Sequence, residues 1–254
     1  MTAVLLEVAD GIATLTLNRP AQLNAVTVEL ASELATAIER AGSDDEVRVV
    51  VVRGAGGTFS AGGDFDEVSR LTAAGPDALR ALFEQFARAT ASIGAIEVPV
   101  VAAVQGVAAA GGFELMQAAD FAVVSDDARI ADNHIRFGMI PGGGSTQRLA
   151  RLVGRQQALG LLLSGDRITG AEAHRLGLAY ACWPAAEFED RLGAMLSTLA
   201  GRSRAATTAI KRLVLDGLES DLGAGILREI DAVVAHIVGG AGAAAATGFS
   251  ERKA

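Results

Sequence analysis

The stretch Val98-Pro99-Val100-Val101-Ala102-Ala103-Val104-Gln105-Gly106-Val107-Ala108-Ala109-Ala110-Gly111-Gly112-Phe113-Glu114 decides how the fold is read. Residues 98–104 read as a strand, the glycines at 106 and 111 punctuate the next segment, and a helix is expected from about Gly112 to Ala118. A further strand comes at Phe121-Ala122-Val123-Val124. The same order occurs upstream. Val47-Arg48-Val49-Val50-Val51-Val52-Arg53-Gly54 is too apolar over its middle to have a wet face, so it reads as a buried strand. A second glycine-bracketed segment, Phe59-Ser60-Ala61-Gly62-Gly63-Asp64, comes directly after it. Strand, glycine turn and helix recurring in this way predict an α/β fold with helices packed on sheets, the repeats being structural rather than exact in sequence.

Glycine lets a backbone approach a ligand closely, so both segments can offer bare N–H groups. Fixed donors in a dry site stabilise negative charge on a carbonyl oxygen without reorganising, and two that converge make an oxyanion hole. Spacing alone equally allows two tight turns, because convergence is a property of the fold.

Working outward, Asp10-Gly11 between Leu5-Leu6-Glu7-Val8 and Ile12-Ala13-Thr14-Leu15-Thr16-Leu17 is a hairpin signal. Thr27 precedes Leu30, Leu34 and Ile38 at helical spacing, ending near Gly42. Pro76 opens a helix to about Ile93, with Leu79, Leu82, Phe83, Phe86 and Ala87 on one face. From about residue 145 the chain is nearly continuous helix, including 146–153, 156–163, 170–176, 205–215 and 222–238. The Gly/Ala run 239–248 is low in complexity and is expected to be loosely ordered or a hinge.

With 254 residues and 50% hydrophobic content the chain can bury a large core as one domain. The net charge of −8 argues against nucleic acid as a main partner. The start of the chain lacks a signal-peptide layout, no run is apolar enough to cross a bilayer, and a single cysteine, Cys182, cannot form an internal disulfide. These features predict a cytoplasmic protein without a membrane partner. Arg148, Arg151 and Arg155 at helical spacing are expected to form a solvated or intersubunit stripe.

Glu114 lies three residues beyond Gly111, in the first turn of its helix, where the helix dipole favours the ionised form. There it could orient water or remove a proton beside a carbonyl, although a first-turn acid without a catalytic role has the same spacing. His134 precedes the Pro141-Gly142-Gly143-Gly144-Ser145-Thr146 turn and is one of three histidines; taken alone it reads first as a structural side chain. Other motifs fail. Phe59 stands where a dinucleotide fingerprint needs its third glycine, and Ser145 lacks the final glycine of a nucleophile elbow and is expected to cap a helix. No metal motif appears.

Asn18-Arg19-Pro20 with Asn24-Ala25, then Phe59 to Asp64, Gly111-Gly112-Phe113-Glu114-Leu115 and Ile140-Pro141-Gly142-Gly143-Gly144-Ser145-Thr146-Gln147-Arg148-Leu149 together resemble the crotonase family of enoyl-CoA hydratases and isomerases. Leu163-Ser164-Gly165-Asp166-Arg167-Ile168 and Ala173-His174-Arg175-Leu176-Gly177-Leu178 extend the resemblance over almost the whole chain. It implies a crotonase-like spiral of repeated ββα units over residues 1–195 and a C-terminal helical trimerisation region over 196–254, giving a homotrimer or a dimer of trimers. It implies an oxyanion hole from the amides of Ala61 and Gly111, and an acyl-CoA site lined by Ala25, Ala61, Gly62, Gly63, Asp64 and Gly111. Lys211 and Lys253 fall near positions where relatives turn cations toward CoA phosphates. Coenzyme A enters as part of the substrate, so no separate cofactor is expected.

Family hydratases place two glutamates around one water. Glu114 falls on the first position, and His134 replaces the second. An imidazole can still donate or accept a proton, so the resemblance implies hydration with Glu114 and His134 as the catalytic pair. The replacement leaves isomerisation, hydrolysis or carbon–carbon cleavage of a thioester as alternatives, and a non-catalytic thioester binder as a more distant one.

Overall fold

The Asp10-Gly11 signal makes the hairpin it predicts: β1 (Val4–Ala9) and β2 (Ile12–Leu17) pair antiparallel around a turn with both φ values positive. The computed structural model describes residues 2–240; Lys253 and the Gly/Ala run beyond Gly240 lie outside the described residues. Thr27 accepts a hydrogen bond from the Leu30 amide and so caps α1 (Val28–Ser43). The chain then runs through β3 (Val49–Gly54), α2 (Phe65–Ala74), α3 (Pro76–Ala95), β4 (Val100–Val104), β5 (Val107–Ala109) and α4 (Gly111–Ala118). After these come β6 (Phe121–Ser125), β7 (Arg129–Ala131), α5 (Ser145–Ser164), β8 (Ile168–Thr169), α6 (Gly170–Arg175) and β9 (Ala181–Trp183). Three helices finish the described chain: α7 (Phe188–Ala200), α8 (Arg204–Leu218) and α9 (Leu222–Val238).

The main sheet has the order β1-β2-β3-β4-β6-β9, parallel throughout except for the opening hairpin. A smaller sheet, β5-β7-β8, lies beside it and is extended by bridges Ser60↔Ala108 and Val26↔Gly63. Each turn of chain therefore feeds one strand to the large sheet and the next to the small one: β3 then Ser60, β4 then β5, β6 then β7. This is the expected spiral. Strand periodicity explains why the central strands read as unbroken apolar runs. Val50, Val52, Val100, Ala102 and Val104 join the core shared with α1, α3 and α4, whereas Val49, Val51, Val101, Ala103 and Val123 pack with Phe188, Leu192 and Leu196 of α7.

Six elements had no sequence expectation of their own: α2, α7, β5, β7, β8 and β9. The helix α2 buries only Leu71 and the four strands are two or three residues long, so these have too little pattern to be read, whereas α7 carries a buried stripe, Phe188, Leu192 and Leu196, that went unread. The two helical stretches expected after residue 145 join as α5 with a break at Gly154, where φ is 78° and ψ 160°. Among the described residues no helix is long and apolar enough to cross a membrane.

Candidate active site

The site is built where the small sheet hands over to α4. Ala110 sits at that junction with φ 46° and ψ −117°, a conformation that for a residue with a Cβ costs on the order of 1–3 kcal/mol. Its amide donates to the Ala131 carbonyl and its own carbonyl accepts from the Glu114 amide, so both sides of the strained residue are fixed. The turn leaves the Gly111 N–H as the first donor of α4, with no acceptor among the described residues. Gly112 is required for packing: a Cβ there would lie 2.2 Å from the Ser60 carbonyl oxygen. The upstream segment meets the same place. Gly62 has φ +105°, and a Cβ on it would stand 3.2 Å from the Gly111 nitrogen, while one on Gly111 would stand 3.7 Å from the Gly62 carbonyl carbon.

The two glycine segments thus converge, but the expected donor pair is corrected. The Ala61 amide donates to the Leu23 carbonyl at 2.9 Å and is not available to a ligand. The Gly62 amide faces Ser60 Oγ at 3.3 Å, and the Asp64 amide donates to the Val26 carbonyl at 3.0 Å. Strand-like bonding to the loop around Asn24 uses these donors, and the bridge between Val26 and Gly63 leaves the Gly63 N–H without an acceptor among the described residues. Gly63 and Gly111, both lining one cavity, are the free pair.

That cavity, of about 120 Å³, is walled by Phe65, Leu82, Phe83, Phe86 and Phe137 and by Ala61, with Glu114 and His134 on its polar side. Glu114 is buried, and the start of α5 points at it: Oε1 accepts from the Gly143 amide at 2.7 Å and the Ser145 amide at 3.1 Å. Burial raises its pKa above the usual carboxyl value against the lowering effect of those amides and of His134, so the helix-dipole expectation is only part of the balance. Gly143 also must lack a side chain, since a Cβ would fall 2.7 Å from Glu114 Oε2. His134 stands on a short 3-10 turn after β7, with Nε2 4.0 Å from Glu114 Oε2 and Nδ1 2.7 Å from Asp132 Oδ1. Burial pushes the imidazole down, but the hydrogen bond and charge of Asp132 and the charge of Glu114 outweigh it and raise the pKa above the ordinary histidine value.

Several expected residues have other duties. Asp64 is not a cavity wall: its Oδ1 caps α2 by accepting from the Glu67 amide, and its Oδ2 pairs with Arg19 at 2.9 Å. That pair holds its pKa low: burial alone would raise it, and the Glu67 amide and the Arg19 hydrogen bond and charge overcome it. Arg19 also donates to the Ala25 carbonyl, so Ala25 belongs to the clamp behind the site, and Gly62 serves the turn. Lys211 is buried, its Nζ paired with the Asp120 carboxylate at 2.8 Å and donating to the Ile93 and Val98 carbonyls at 2.8 and 3.0 Å, so it is turned away from any phosphate. Ser145 is no cap: Gly144 takes that position, and the Ser145 hydroxyl accepts from Gln117 Nε2 at 2.7 Å. Arg148 leaves the expected stripe and donates to the Gly143 carbonyl at 2.6 Å, bracing the amide that holds Glu114. Among the described residues no three His, Cys, Asp or Glu side chains are grouped to hold a metal.

The family model described as enoyl-CoA hydratase/isomerase matches residues 7–253. The chain belongs to that family. A probable enoyl-CoA hydratase of Mycobacterium leprae is 34% identical over 226 residues, covering 89% of this chain and 86% of the relative. A 2,3-dehydroadipyl-CoA hydratase of Escherichia coli is 34% identical over 85% of this chain and 82% of its own. The crystal structure of an enoyl-CoA hydratase from Bacillus anthracis superposes with a TM-score of 0.93 at 27% identity, covering 98% of this chain and 96% of that one. This member of the enoyl-CoA hydratase/isomerase family is therefore an enzyme with the crotonase fold. Sequence reasoning on it missed Asp132 and the Gly63 amide. The Asp-x-His spacing of residues 132–134 was a signal for the first; the second depends on which amides the tertiary structure has already used.

Proposed function

We propose that this enzyme adds water across the 2,3-double bond of an enoyl-CoA. The observation that carries the reading is one cavity holding two free amides, Gly63 and Gly111, opposite an acid–base pair, Glu114 and His134, 4.0 Å apart. The thioester oxygen lies on the two amides. Glu114 takes a proton from water through Oε2, its other oxygen being pinned by Gly143 and Ser145. As the water oxygen bonds to C3, the π electrons of the C2–C3 bond pass to the thioester oxygen as an enolate. The enolate then collapses, C2 takes a proton from His134 Nε2, and transfer of the Glu114 proton to His134 restores the site. Each amide donor to such an oxyanion is worth roughly 10²–10³-fold in rate.

The acyl group this cavity accepts is apolar. Its walls are aromatic and aliphatic, and among the described residues its ionisable lining is Glu114 and His134, with no arginine or lysine to meet a distal carboxylate. Coenzyme A comes with the substrate, and we infer no separate cofactor. Loss of enoyl absorbance on purified enzyme with crotonyl-CoA and longer apolar enoyl-CoAs tests the reading; no loss at any chain length rules it out. The same pair could move a proton between two carbons, so product analysis on 3-enoyl thioesters separates isomerisation, with exclusive hydration eliminating it.

The assembly proposed is a homotrimer or dimer of trimers through the C-terminal helices, in a cytoplasmic enzyme. Its support is that α9 buries none of its residues in the single chain and exposes Leu222, Ile226, Leu227, Ile230, Val234 and Ile237. Light scattering in solution tests it, and a monomer would refute it.

A further inference from the structure

We propose that Asp132 is the positioning residue that keeps His134 doubly protonated, holding the Nδ1–H and turning the Nε2–H to Glu114 and the cavity. The proposal deepens the hydration reading and rests on it for its catalytic meaning. Asp132 comes directly after β7 and is 1% exposed, so the strand register sets where its carboxyl points. Oδ1 lies 2.7 Å from His134 Nδ1, a charge-assisted distance, and Oδ2 has no hydrogen-bond partner among the described residues. The carboxylate's one hydrogen bond is therefore to the imidazole. A buried carboxylate is tolerated when a cation compensates it, and His134 is the group in position to do so.

The groups facing His134 are consistent in sign. Glu114 approaches from α4 and Asp132 from the end of β7, and both favour imidazolium. Arg148 of α5 acts on Glu114 and is turned to the Gly143 carbonyl, while Arg136, on the turn of His134 itself, is exposed and paired with Asp166. At 4.0 Å the His134 and Glu114 side chains attract but do not hydrogen-bond, so neither blocks the other. The geometry thus sets a carboxylate able to accept a proton, Glu114, beside an imidazole whose charged form is favoured by a second carboxylate behind it. A carboxylate paired with an imidazolium is neutral as a pair, which lowers the cost of placing both beside an apolar cavity.

The test is nitrogen NMR of histidine-labelled enzyme, with Asp132→Asn as the perturbation and Asp132→Glu as the conservative control. Three histidines, 134, 174 and 236, make assignment by His134→Gln direct. In the wild type His134 is expected to be doubly protonated at neutral pH and to titrate above the ordinary histidine value. In Asp132→Asn its titration moves to lower pH, and the alkaline limb of the kcat profile moves with it. The same variant loses roughly 10²-fold or more in kcat with little change in KM, because the group that delivers the proton is misprotonated rather than the thioester unbound. Asp132→Glu restores part of both. Nitrogen shifts showing a neutral His134 with its proton on Nε2, or an Asp132→Asn variant with unchanged titration, overturn the proposal. Should the wild type hydrate no enoyl-CoA, the shifts still decide whether Asp132 holds the proton on His134, so failure of the hydration reading is seen separately.

Discussion

Gly112→Ala is the sharpest test of how this fold makes its anion site. The added methyl carbon would lie 2.2 Å from the Ser60 carbonyl oxygen and 2.8 Å from both the carbonyl carbon and Cβ of that residue. All but one of these atoms are backbone, bridged to β5 through Ala108, so they cannot swing aside as a side-chain tip would. Ordinary contact requires a retreat of about 1 Å, and the element free to make it is α4, which carries Gly111 and Glu114. Overpacking of this kind destabilises by about 1–3 kcal/mol, which for a domain of this size lowers Tm by roughly 2–12 °C. Moving a donor and an acid by an ångström costs about 10²-fold in kcat/KM. Thermal melting and the hydration assay read the two effects, and Gly193→Ala serves as control. Gly193 lies inside α7 with nothing within 4 Å of its missing Cβ, so alanine there should stabilise by about 0.5–1 kcal/mol. A Gly112→Ala enzyme that melts within a degree or so of wild type and turns over at about the same rate would refute the claim that contact with Ser60 places the Gly111 amide.

Glu114→Gln should lose roughly 10²–10⁴-fold in kcat yet melt no lower than wild type. The Glu114 pKa is raised on folding, so its favourable contribution is complete below the unfolded value of about 4.5 and is lost as pH rises through the folded value; the variant's relative gain should appear across that rise. A variant that keeps a tenth of the activity, or melts several degrees lower at neutral pH, contradicts this. Lys211→Met should destabilise by about 3–5 kcal/mol through the orphaned Asp120 while leaving KM for acyl-CoA unchanged; a raised KM with intact stability would instead return Lys211 to the substrate. Ile230→Asp on α9 should yield smaller species in light scattering without altering the far-UV spectrum, and an unchanged mass would remove this helix from the interface.

The alternation of strands and glycine turns was legible in the chain because buried parallel strands must be apolar on both faces, and the hairpin, α1, α3, β3, β4 and β6 derive from that and from local caps. Glu114 was legible too, since its distance from Gly111 is a matter of one helical turn. Ala61 was misread for a physical reason: an amide in a glycine-rich turn looks free in sequence, and only the approach of the Leu23 carbonyl shows it is taken. Asp64 and Lys211 were misassigned in the same way, because a charged side chain reads identically whether it waits for a ligand or is buried against its own fold.

Sequence by itself determined the repeat and the family and singled out Glu114 and His134 as candidates, all of which rest on local pattern and spacing. Tertiary structure alone decided which N–H groups remain unspent, which oxygen of Glu114 is left open, and that Asp132 backs His134. Hydrogen-bond satisfaction is a property of pairs distant along the chain, so no reading of one segment could settle it.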